Sequence, residues 1–358
     1  WETLGHRLAE SEDILSALAG EDGQGKFSET QAWVTAAVHQ IREAQRDLAT
    51  SVQAEVHQRL IALASRCDEL VTAMDFRFLF DEQRKIFVIG YNVAEGRRDN
   101  SYYDLLASES RLTSFVAIAK GDVPQEHWFR LGRAMTPVRG GRALIAWTAT
   151  MFEYLMPVLV MRRYDETLLD ETYETVVARQ VEYGVQHNVP WGISEAGYNA
   201  RDLNLSYQYG PFGIPGLGLK RGLSDDLVVS PYATMLAAMI NPWAALANLK
   251  HLASLGVLSK YGFFESIDYT PDRLPKNQKS VTIKSFMAHH QGMSLVALDN
   301  LLNQQPMQRR FHAEPIVQAT QLLLQERVPQ RVAISLPRAE EVHSDGTQRF
   351  VSTPNPRF

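Results

Sequence analysis

Apolar residues recur at spacings of three and four along most of this chain, and that period restricts it to a largely helical fold. Between positions 29 and 74 the pattern predicts two long helices or one bent helix. The same period marks six later segments, 102–120, 126–135, 145–163, 166–187, 231–247 and 284–302. Strand-like runs do not alternate with these segments, which argues against a parallel α/β architecture.

Other stretches depart from the helical period. Residues 76–93 read FRFLF, DEQRK and IFVIGYNV, two apolar runs around a polar turn, which predicts a small β-hairpin. Residues 1–25 are polar and interrupted by GEDGQG, which predicts a frayed start. We therefore expect an N-terminal helical segment at 1–75, a main domain at 76–330 and a polar, proline-containing linker or tail at 331–358.

Composition excludes several classes of protein. The 358 residues carry a formal net charge of −5 without a long Lys or Arg run, which argues against nucleic acid as the main partner. Cys67 is the single cysteine, so the fold does not depend on an internal disulfide, and its helical context predicts a small core residue rather than a nucleophile. Because no apolar run reaches the ~18 residues of a membrane span, we expect a soluble domain. A start at Trp1 suggests a domain from a longer protein.

A first polar cluster occupies GRRDNSYYDLLASESRL at 96–112. Asn100 or Ser101 would cap a helix that begins near Tyr102, with Asp104 in its first turn. Capping does not account for Glu109, which would lie on or beside the apolar face of that helix, where a carboxylate needs a partner or a cavity. Glu109 is therefore a candidate functional residue, although a structural role stays open. The cluster supplies Arg97, Arg98, Asp99, Tyr102, Tyr103, Asp104 and Glu109.

A second cluster lies in the long segment 188–230, which is rich in Gly, Pro, Asn and Tyr. A loop of that length in a compact domain usually builds a site. Glu195 lies among aromatic side chains that can stack on sugar rings, and such apolar company favours the acid form that a general acid needs. A tyrosine-rich loop packed on its own prolines is the structural alternative. The candidate ligands of a sugar here are Trp191, Tyr198, Asn199, Arg201, Asp202, Tyr207, Gln208 and Tyr209.

Two near-motifs predict no cofactor. GIPGLGLKRG at 213–222 lacks the GK[ST] ending of a phosphate loop and a strand leading into it. His289 and His290 in MAHHQGM point about 100° apart on a helix, so they cannot both face one metal ion, and no HExxH spacing occurs. Packing or hydrogen bonding to sugar explains these histidines better. We expect neither a metal nor an organic cofactor.

The chain resembles the central domain of bacterial cyclic β-1,2-glucan synthases, which belongs to glycoside hydrolase family 189 and the glucoamylase-like superfamily. The resemblance covers roughly residues 75–330 and keeps the order of the family's motifs. It is carried by SYYDLLASESRL, SEAGYNARDLNLSYQYGPFGIPGLGLKRGL, DDLVVSPYATMLA, GFFESIDYT and SFMAHHQGMSLVALDNLL.

The resemblance implies an all-α (α/α)₆ barrel with its site at one open end, an N-terminal helical extension and a small β-hairpin. It implies Glu195 as acid/base, Glu109 as nucleophile, and linear and cyclic β-1,2-glucan as ligands. It also implies fusion to a membrane glycosyltransferase and a phosphorylase-like domain, on the cytoplasmic side of the bacterial inner membrane. Related β-1,2-glucanases of family 144 share the barrel and the SExxYN-type glutamate but hydrolyse their substrate.

Three functions stay open at this point. Cyclisation that keeps a β linkage needs two inversions, a covalent glycosyl-enzyme and two carboxyls about 5–5.5 Å apart. In that case Arg97, Arg98 or a tyrosine hydroxyl would hold Glu109 ionised. An inverting endo-β-1,2-glucanase would instead use Asp99 or Asp104 as base through water, at about 6.5–9.5 Å. A non-catalytic glucan-binding module would suit the aromatic loops equally but would not require glutamates at both positions.

Overall fold

The computed structural model describes residues 2–21, 28–47, 50–138, 141–329 and 334–337 and divides into two units, Trp1–Met74 and Asp75–Phe358. Most of the tail expected at 331–358 lies outside the described residues. Within residues 334–337, Ile334 bridges to Met135, and the Ser335 amide donates to the Met135 carbonyl at 2.9 Å.

The first unit holds three helices, α1 (Glu2–Glu21), α2 (Ser28–Asp47) and α3 (Thr50–Ala73). The frayed start expected for residues 1–25 is wrong for 2–21, which are helical, and residues 22–25 lie outside the described part. Hydrogen bonds from Gln31 to Ser16 and from Thr35 to Glu12 tie α2 to α1.

Burial in the first unit follows the helical period on α2 but not on α3. On α2 the buried residues Val34, Val38 and Ile41 recur at spacings of four and three. Cys67 on α3 is exposed, so the prediction of a core cysteine is wrong. The apolar period of α3 identified a helix correctly, but periodicity alone does not determine whether an apolar stripe is covered.

The second unit places its core between helices of 5 to 20 residues. The helices are α4 (Ser108–Ala119), α5 (Glu126–Arg130), α6 (Met151–Leu155), α7 (Leu168–His187), α8 (Pro231–Ala237), α9 (Pro242–Ser254), α10 (Ala288–Leu302), α11 (Pro306–Phe311) and α12 (Pro315–Thr320). Single 3₁₀ turns occur at Arg77–Leu79, Met156–Leu159, Pro271–Arg273 and Gln321–Gln325. Large apolar side chains such as Phe115, Trp128 and Tyr154 are fully buried between these helices.

Strands in this unit are short and form small antiparallel sheets. Four pairs are β1 (Phe80–Asp81) with β2 (Ile86–Phe87), β3 (Tyr91–Asn92) with β4 (Arg97–Arg98), β5 (Met135–Val138) with β6 (Gly141–Leu144), and β7 (Ala196–Arg201) with β8 (Tyr207–Gly210). A three-stranded sheet orders β9 (Val228–Val229), β12 (Ser266–Asp268) and β13 (Val281–Ile283), and β10 (Leu258–Ser259) pairs with β11 (Gly262–Phe263). The β1–β2 pair is the hairpin predicted within residues 76–93.

Several helices are shorter than the periodicity predicts, and local chemistry explains the breaks. The segment 231–247 divides at Pro242, which lacks the amide that a continuous helix would use. Asn241 caps the new helix by accepting from the Ala244 amide at 3.1 Å. Helix α7 begins directly after Thr167, whose hydroxyl accepts from the Asp170 amide. It ends at His187, and the next residue, Asn188, caps it in the left-handed conformation.

Gly213 marks the closest crossing of two loops. The segment that follows β8 in the sequence crosses residues 146–149. The Ala146 amide donates to the Leu217 carbonyl, and the Lys220 amide donates to the Trp147 carbonyl. A Cβ added at Gly213 would lie 1.7 Å from the carbonyl oxygen of Thr148. Backbone cannot yield as a flexible side chain does, so this position requires glycine.

We expect Gly213→Ala to lower the free energy of unfolding by about 3 kcal/mol or more, at the upper end of overpacking costs. Gly292→Ala is the matched control, because a Cβ there meets nothing within 4 Å on helix α10. That control should leave stability unchanged or raise it by up to about 1 kcal/mol. Urea unfolding of both variants measures the difference, and equal midpoints would contradict the crossing.

Candidate active site

The β7–β8 hairpin brings Glu195 and Tyr209 together. Glu195 directly precedes β7, and Gly197 lies opposite Tyr209 in the antiparallel register. Residues two apart in a strand face the same side, and paired residues share that side, so Tyr209 lies on the face of the hairpin that Glu195 extends. Tyr209 accordingly interacts with the Glu195 carboxyl group and lowers its pKa.

The backbone around Glu195 is anchored by buried hydroxyl groups. Tyr232 of α8 donates to the Glu195 carbonyl at 2.9 Å, and its oxygen lies 2.7 Å from the Ser194 hydroxyl. The Ser194 hydroxyl accepts from the Phe152 amide of α6 at 3.1 Å. Because Tyr232 and Ser194 are buried, Glu195 is held at a fixed position between α6 and α8.

Glu109 lies in the first turn of α4 and is exposed. The helix begins at Ser108, so the prediction that it begins near Tyr102 is wrong. Residues 102–107 bury their leucines without being helical, which the periodicity could not distinguish from a helical turn. A helix amino terminus is a favourable place for a carboxylate, and the Ser108 hydroxyl donates to Glu109.

The expected cationic partners of Glu109 are bonded elsewhere. Arg97 pairs with Glu95, and the Arg98 Nε donates to the Phe78 carbonyl at 2.7 Å. Both arginines and Asp99 are exposed, and Asp99 accepts from the Asn100 amide. Among these contacts Glu109 is bonded to the Ser108 hydroxyl and to neither arginine, and a tyrosine hydroxyl as its partner stays a prediction.

The two glutamates interact electrostatically. Burial, together with the negative charges of Glu109 and Glu153, raises the pKa of Glu195 from its usual 4.5 to about 7, and Tyr209 opposes this rise. Glu195 is therefore about half protonated at pH 7, which leaves a large fraction in the form that a general acid needs. The separation of about 5–5.5 Å between the two carboxyl groups stays a prediction.

Two further carboxylates near the site are bonded to backbone amides. The Asp104 carboxylate accepts from the Leu106 amide at 2.7 Å, and burial raises its pKa. Glu153 accepts from the amides of Thr148 and Thr150, each at 3.1 Å, in a capping box that begins α6. Burial raises the pKa of Glu153 as well. Sequence reasoning missed Glu153, although the T-x-x-E pattern of a capping box was readable at 150–153.

A buried pair, Glu265 and His290, lies behind the site. The His290 Nδ1 lies 2.9 Å from a Glu265 oxygen, and the residues are 1% and 2% exposed, respectively. The Gly197 amide donates to Glu265 at 3.1 Å, and the Tyr209 hydroxyl lies 3.3 Å from His290 Nε2. Sequence reasoning missed Glu265, although a lone carboxylate in the apolar run FFESI was a usable signal.

The adjacent histidines take different places, as their helical spacing predicts. His289 is exposed, with its ring centroid 6.2 Å from that of Tyr209. His290 is buried, with its ring stacked on that of Tyr232 at a centroid distance of 3.7 Å. Burial raises the pKa of Tyr103, with a further contribution from the charge of Glu109, which places Tyr103 beside the site.

The remaining predicted ligands form the surrounding structure. Trp191 is buried with its backbone bonded to Asn248, and Tyr102 donates to Asp81. The Asn199 amide groups bond to Asp268 and to the Arg273 carbonyl, and Arg273 lies over the Tyr198 ring. At the far end of the hairpin, Arg201 bonds to Tyr207, Asp202 caps the turn, and Gln208 lies opposite Tyr198. Their roles as sugar ligands stay predictions.

Within the described residues, no three His, Cys, Asp or Glu side chains are grouped so that they could hold a metal ion. None of the described helices has the length and apolar character needed to cross a membrane.

Fold and site together define a helical domain of the glycoside hydrolase type with two interacting carboxyl groups, Glu109 and Glu195. The model of the family named Glycoamylase, which is described as a glucoamylase family, matches residues 101–315, more than half of the chain. The chain therefore belongs to this glucoamylase family.

One curated relative and two solved structures show what the chain is similar to. It is 46% identical over 285 residues to the cyclic β-(1,2)-glucan synthase NdvB of Rhizobium meliloti (strain 1021), a match that covers 80% of this chain. The same match covers 10% of the synthase, so the chain spans about a tenth of that relative's length.

The solved structures show the fold. An endo-β-1,2-glucanase from Chitinophaga pinensis aligns with a TM-score of 0.56 at 17% identity, covering 74% of this chain and 65% of that one. A β-1,2-glucanase from Parabacteroides distasonis aligns with a TM-score of 0.50 at 14% identity, covering 72% and 40%. The all-α (α/α)₆ barrel predicted from the sequence is confirmed.

Proposed function

We propose that this domain is an anomer-retaining transglycosylase that cyclises or rearranges linear β-1,2-glucan through a covalent glycosyl-enzyme. The observation that carries the proposal is a pair of interacting carboxyl groups in contrasting surroundings. Glu195 is largely buried with a pKa of about 7, whereas Glu109 is exposed in the first turn of a helix. Such different surroundings allow one carboxyl group to act as an acid and the other as an ionised nucleophile. Similarity to a cyclic β-(1,2)-glucan synthase supports the substrate class.

The first half of the proposed reaction breaks a β-1,2 bond. The Glu195 carboxyl group gives its proton to the 2-oxygen of the leaving sugar as the bond from C1 to that oxygen breaks. A Glu109 oxygen attacks the same C1 from the opposite face and forms an α-linked glycosyl ester. Glu195 is left as a carboxylate and the leaving chain as a free alcohol, so protons and electrons balance.

The second half remakes a β bond and restores the enzyme. The Glu195 carboxylate removes the proton from the 2-hydroxyl at the non-reducing end of the same chain, or of another chain. That oxygen attacks C1 and releases Glu109 as a carboxylate, while Glu195 is again an acid. Two inversions give net retention, and a terminal hydroxyl of the same chain gives a ring.

The inverting glucanase remains the second enzymatic candidate. Its base would hold a water opposite Glu195, and Asp104 was the buried candidate for that task. The Asp104 carboxylate instead accepts from the Leu106 amide at 2.7 Å, so one of its oxygens is bonded to backbone. Asp99 is exposed and bonded to the next backbone amide. These contacts favour the retaining pair.

Product analysis from linear β-1,2-glucan tests the proposal against both rivals. We expect rings or chains of shuffled length by mass spectrometry, at a nearly constant number of reducing ends. One new reducing end for every bond broken would instead identify a glucanase. Unchanged chains together with binding measured by calorimetry would identify a non-catalytic glucan-binding module.

The pH dependence follows from the pKa of Glu195. The first half-reaction needs the protonated form, which is lost as pH rises through about 7. We therefore expect kcat/KM to fall about tenfold per pH unit above about pH 7. The reason is that the pH dependence of kcat/KM reflects the pKa of the essential acid in the free enzyme. Initial rates between pH 5 and 9 measure it. A profile that is flat to pH 9 would remove Glu195 from the acid role.

We further propose that the domain works as one part of a larger synthase. The similarity to a synthase of which this chain spans about a tenth supports a parent protein with additional domains. The expected companions are a membrane glycosyltransferase that extends the linear glucan and a phosphorylase-like domain that trims it. This arrangement would place the barrel on the cytoplasmic side of the membrane, where the growing chain is made.

A further inference from the structure

Trp147 is exposed in a segment that is otherwise buried. Its side chain is 62% exposed, whereas residues 143–146 and 149–152 on either side of it are buried. A single exposed apolar side chain is common on protein surfaces and needs no functional explanation by itself. An indole is, however, the largest apolar side chain that this segment could have buried. The surroundings of Trp147 therefore decide whether its exposure has a role.

The backbone at Trp147 is held in place by the segment that crosses it. The Trp147 carbonyl accepts from the Lys220 amide at 2.8 Å. One residue earlier, the Ala146 carbonyl accepts from the Leu219 amide at 3.1 Å. The base of the indole is therefore fixed, although most of the ring lies in solvent.

The residues that follow Trp147 form a strained turn. Ala149 has a φ of +56°, a left-handed conformation that residues with a Cβ seldom adopt, and its side chain is completely buried. The amides of Thr148 and Thr150, on either side of it, both donate to the Glu153 carboxylate at 3.1 Å. Strain of this kind persists only where neighbouring contacts impose it, and it is concentrated at binding and catalytic sites. The strain in this turn is thus a second observation that favours a functional role.

The turn at residues 147–150, here called the Trp147 loop, lies next to the backbone that carries the candidate acid. The loop enters helix α6, and in the first turn of that helix the Phe152 amide donates to the Ser194 hydroxyl at 3.1 Å. Ser194 directly precedes Glu195. The charge of Glu153, which also holds the Trp147 loop, acts on the Glu195 carboxyl group. The exposed indole therefore belongs to the surroundings of the acid.

We propose that Trp147 is a stacking platform for a glucosyl ring of the glucan chain, next to the bond that is broken. The identity of the ligand rests on the proposed function. The face of an indole can pack against the C–H groups of a pyranose ring, and its Nε1–H can donate to a sugar hydroxyl. A neutral sugar offers no charge for recognition, so an aromatic surface beside a few polar groups is suited to bind it.

A fixed platform also explains why the loop is worth its strain. A side chain on a mobile loop would have to be ordered when the sugar binds, which reduces affinity. The hydrogen bonds of the Trp147 loop fix its backbone before the sugar arrives. The indole is thus preorganised, and the strain is compensated by contacts that are separate from the sugar.

Trp147→Ala removes the ring and should leave the protein folded, because most of the indole is in solvent. Calorimetry with linear β-1,2-glucan in the Glu195→Gln background measures affinity while bond cleavage is slowed. We expect the Kd to rise about tenfold, the effect of one lost aromatic stack. Trp243→Ala is the matched control, since Trp243 is 78% exposed in the first turn of α9 and should leave the Kd unchanged.

Fluorescence tests the same contact while the protein keeps an aromatic ring at this position. Acrylamide quenches the emission of exposed indoles, so a sugar stacked on Trp147 should protect it. We expect added β-1,2-glucan to reduce quenching in the unaltered protein and to leave it nearly unchanged in Trp147→Phe. This comparison decides the matter even if Trp147→Ala does not fold.

The outcomes separate the platform from the function on which it rests. If the unaltered protein binds glucan and Trp147→Ala binds it equally well, the platform is wrong and the proposed function stands. If Trp147→Ala weakens binding but the products show hydrolysis without transfer, the platform stands and the proposed function fails. If the unaltered protein binds no β-1,2-glucan, both are overturned. Equal weakening by Trp243→Ala would also overturn the platform, because the effect would not be specific to the Trp147 loop.

Discussion

Glu195→Gln is expected to lower the rate of glucan transfer by a factor on the order of 10²–10⁴ or more, the contribution of a positioned general acid and base. The amide keeps the shape of the carboxyl group and its place at the start of β7. It can neither give a proton to the leaving oxygen nor take one from the incoming hydroxyl. Both half-reactions therefore slow, and the loss appears in kcat as well as in kcat/KM.

The same variant should remain folded, and its stability has a predictable pH dependence. Because the folded pKa of Glu195 is raised from 4.5 to about 7, the native state holds this proton more tightly than the unfolded chain does. The free energy of unfolding therefore declines as pH rises from about 4.5 to about 7, and Glu195→Gln lacks that decline. At pH 8 the variant should be at least as stable as the parent.

Rate and thermal unfolding measured side by side test the assignment of Glu195. The matched control is Glu171→Gln, an exposed glutamate in the first turn of α7, which should leave the rate unchanged and lower the free energy of unfolding by no more than about 1 kcal/mol. A Glu195→Gln variant that retains a near-normal rate would remove Glu195 from the acid/base role. A variant that is inactive because it is unfolded at pH 8 would contradict the linkage argument.

Glu109→Gln is the second change with a very large expected effect. Loss of a covalent nucleophile costs on the order of 10⁴-fold or more, because no second residue provides the attacking oxygen. Ser108→Ala is the matched control, since it removes the hydroxyl that bonds to Glu109 and keeps the carboxylate. We expect a smaller loss there, about tenfold, from a less well oriented nucleophile.

The comparison of these two variants separates the mechanisms. A retaining enzyme needs Glu109 for every turnover, whether the acceptor is sugar or water. An inverting glucanase does not, so Glu109→Gln that still releases short chains at a useful rate would show that the nucleophile assignment is wrong. Reducing-end assays with linear β-1,2-glucan measure this over several hours.

Much of the fold was predictable because it depends on local pattern and on resemblance. Helical periodicity identified most helices, and the motif segments gave the barrel. The errors arose where the apolar pattern of the sequence does not match the burial or the secondary structure of the residues. The apolar stripe of α3 is exposed together with Cys67, and the leucines before Ser108 are buried without forming a helix. The break at Pro242 had a readable signal, because a proline ends a continuous helix.

The candidate site was only partly predictable for a different reason. Glu195 and Glu109 could be singled out because each is a carboxylate in apolar company. The partners of these groups depend on contacts between distant positions. Tyr209 meets His290 across 81 residues, and Glu265 meets Gly197 across 68. No period or short motif encodes such pairs. The contact of Glu265 and His290 behind the site was therefore visible only in the structure.

The anomeric configuration of azide products tests the central claim most directly. Glu109→Gly should turn an aryl β-1,2-linked glucoside and azide into an α-glycosyl azide, because azide enters from the face that the carboxylate vacated. Glu195→Gly should give the β-glycosyl azide, because azide then attacks the covalent intermediate on Glu109. Proton NMR distinguishes the two products by the coupling at C1. This opposite pair of azides is the result that the retaining mechanism predicts, and the absence of β-azide from Glu195→Gly together with normal cleavage by Glu109→Gln would contradict it.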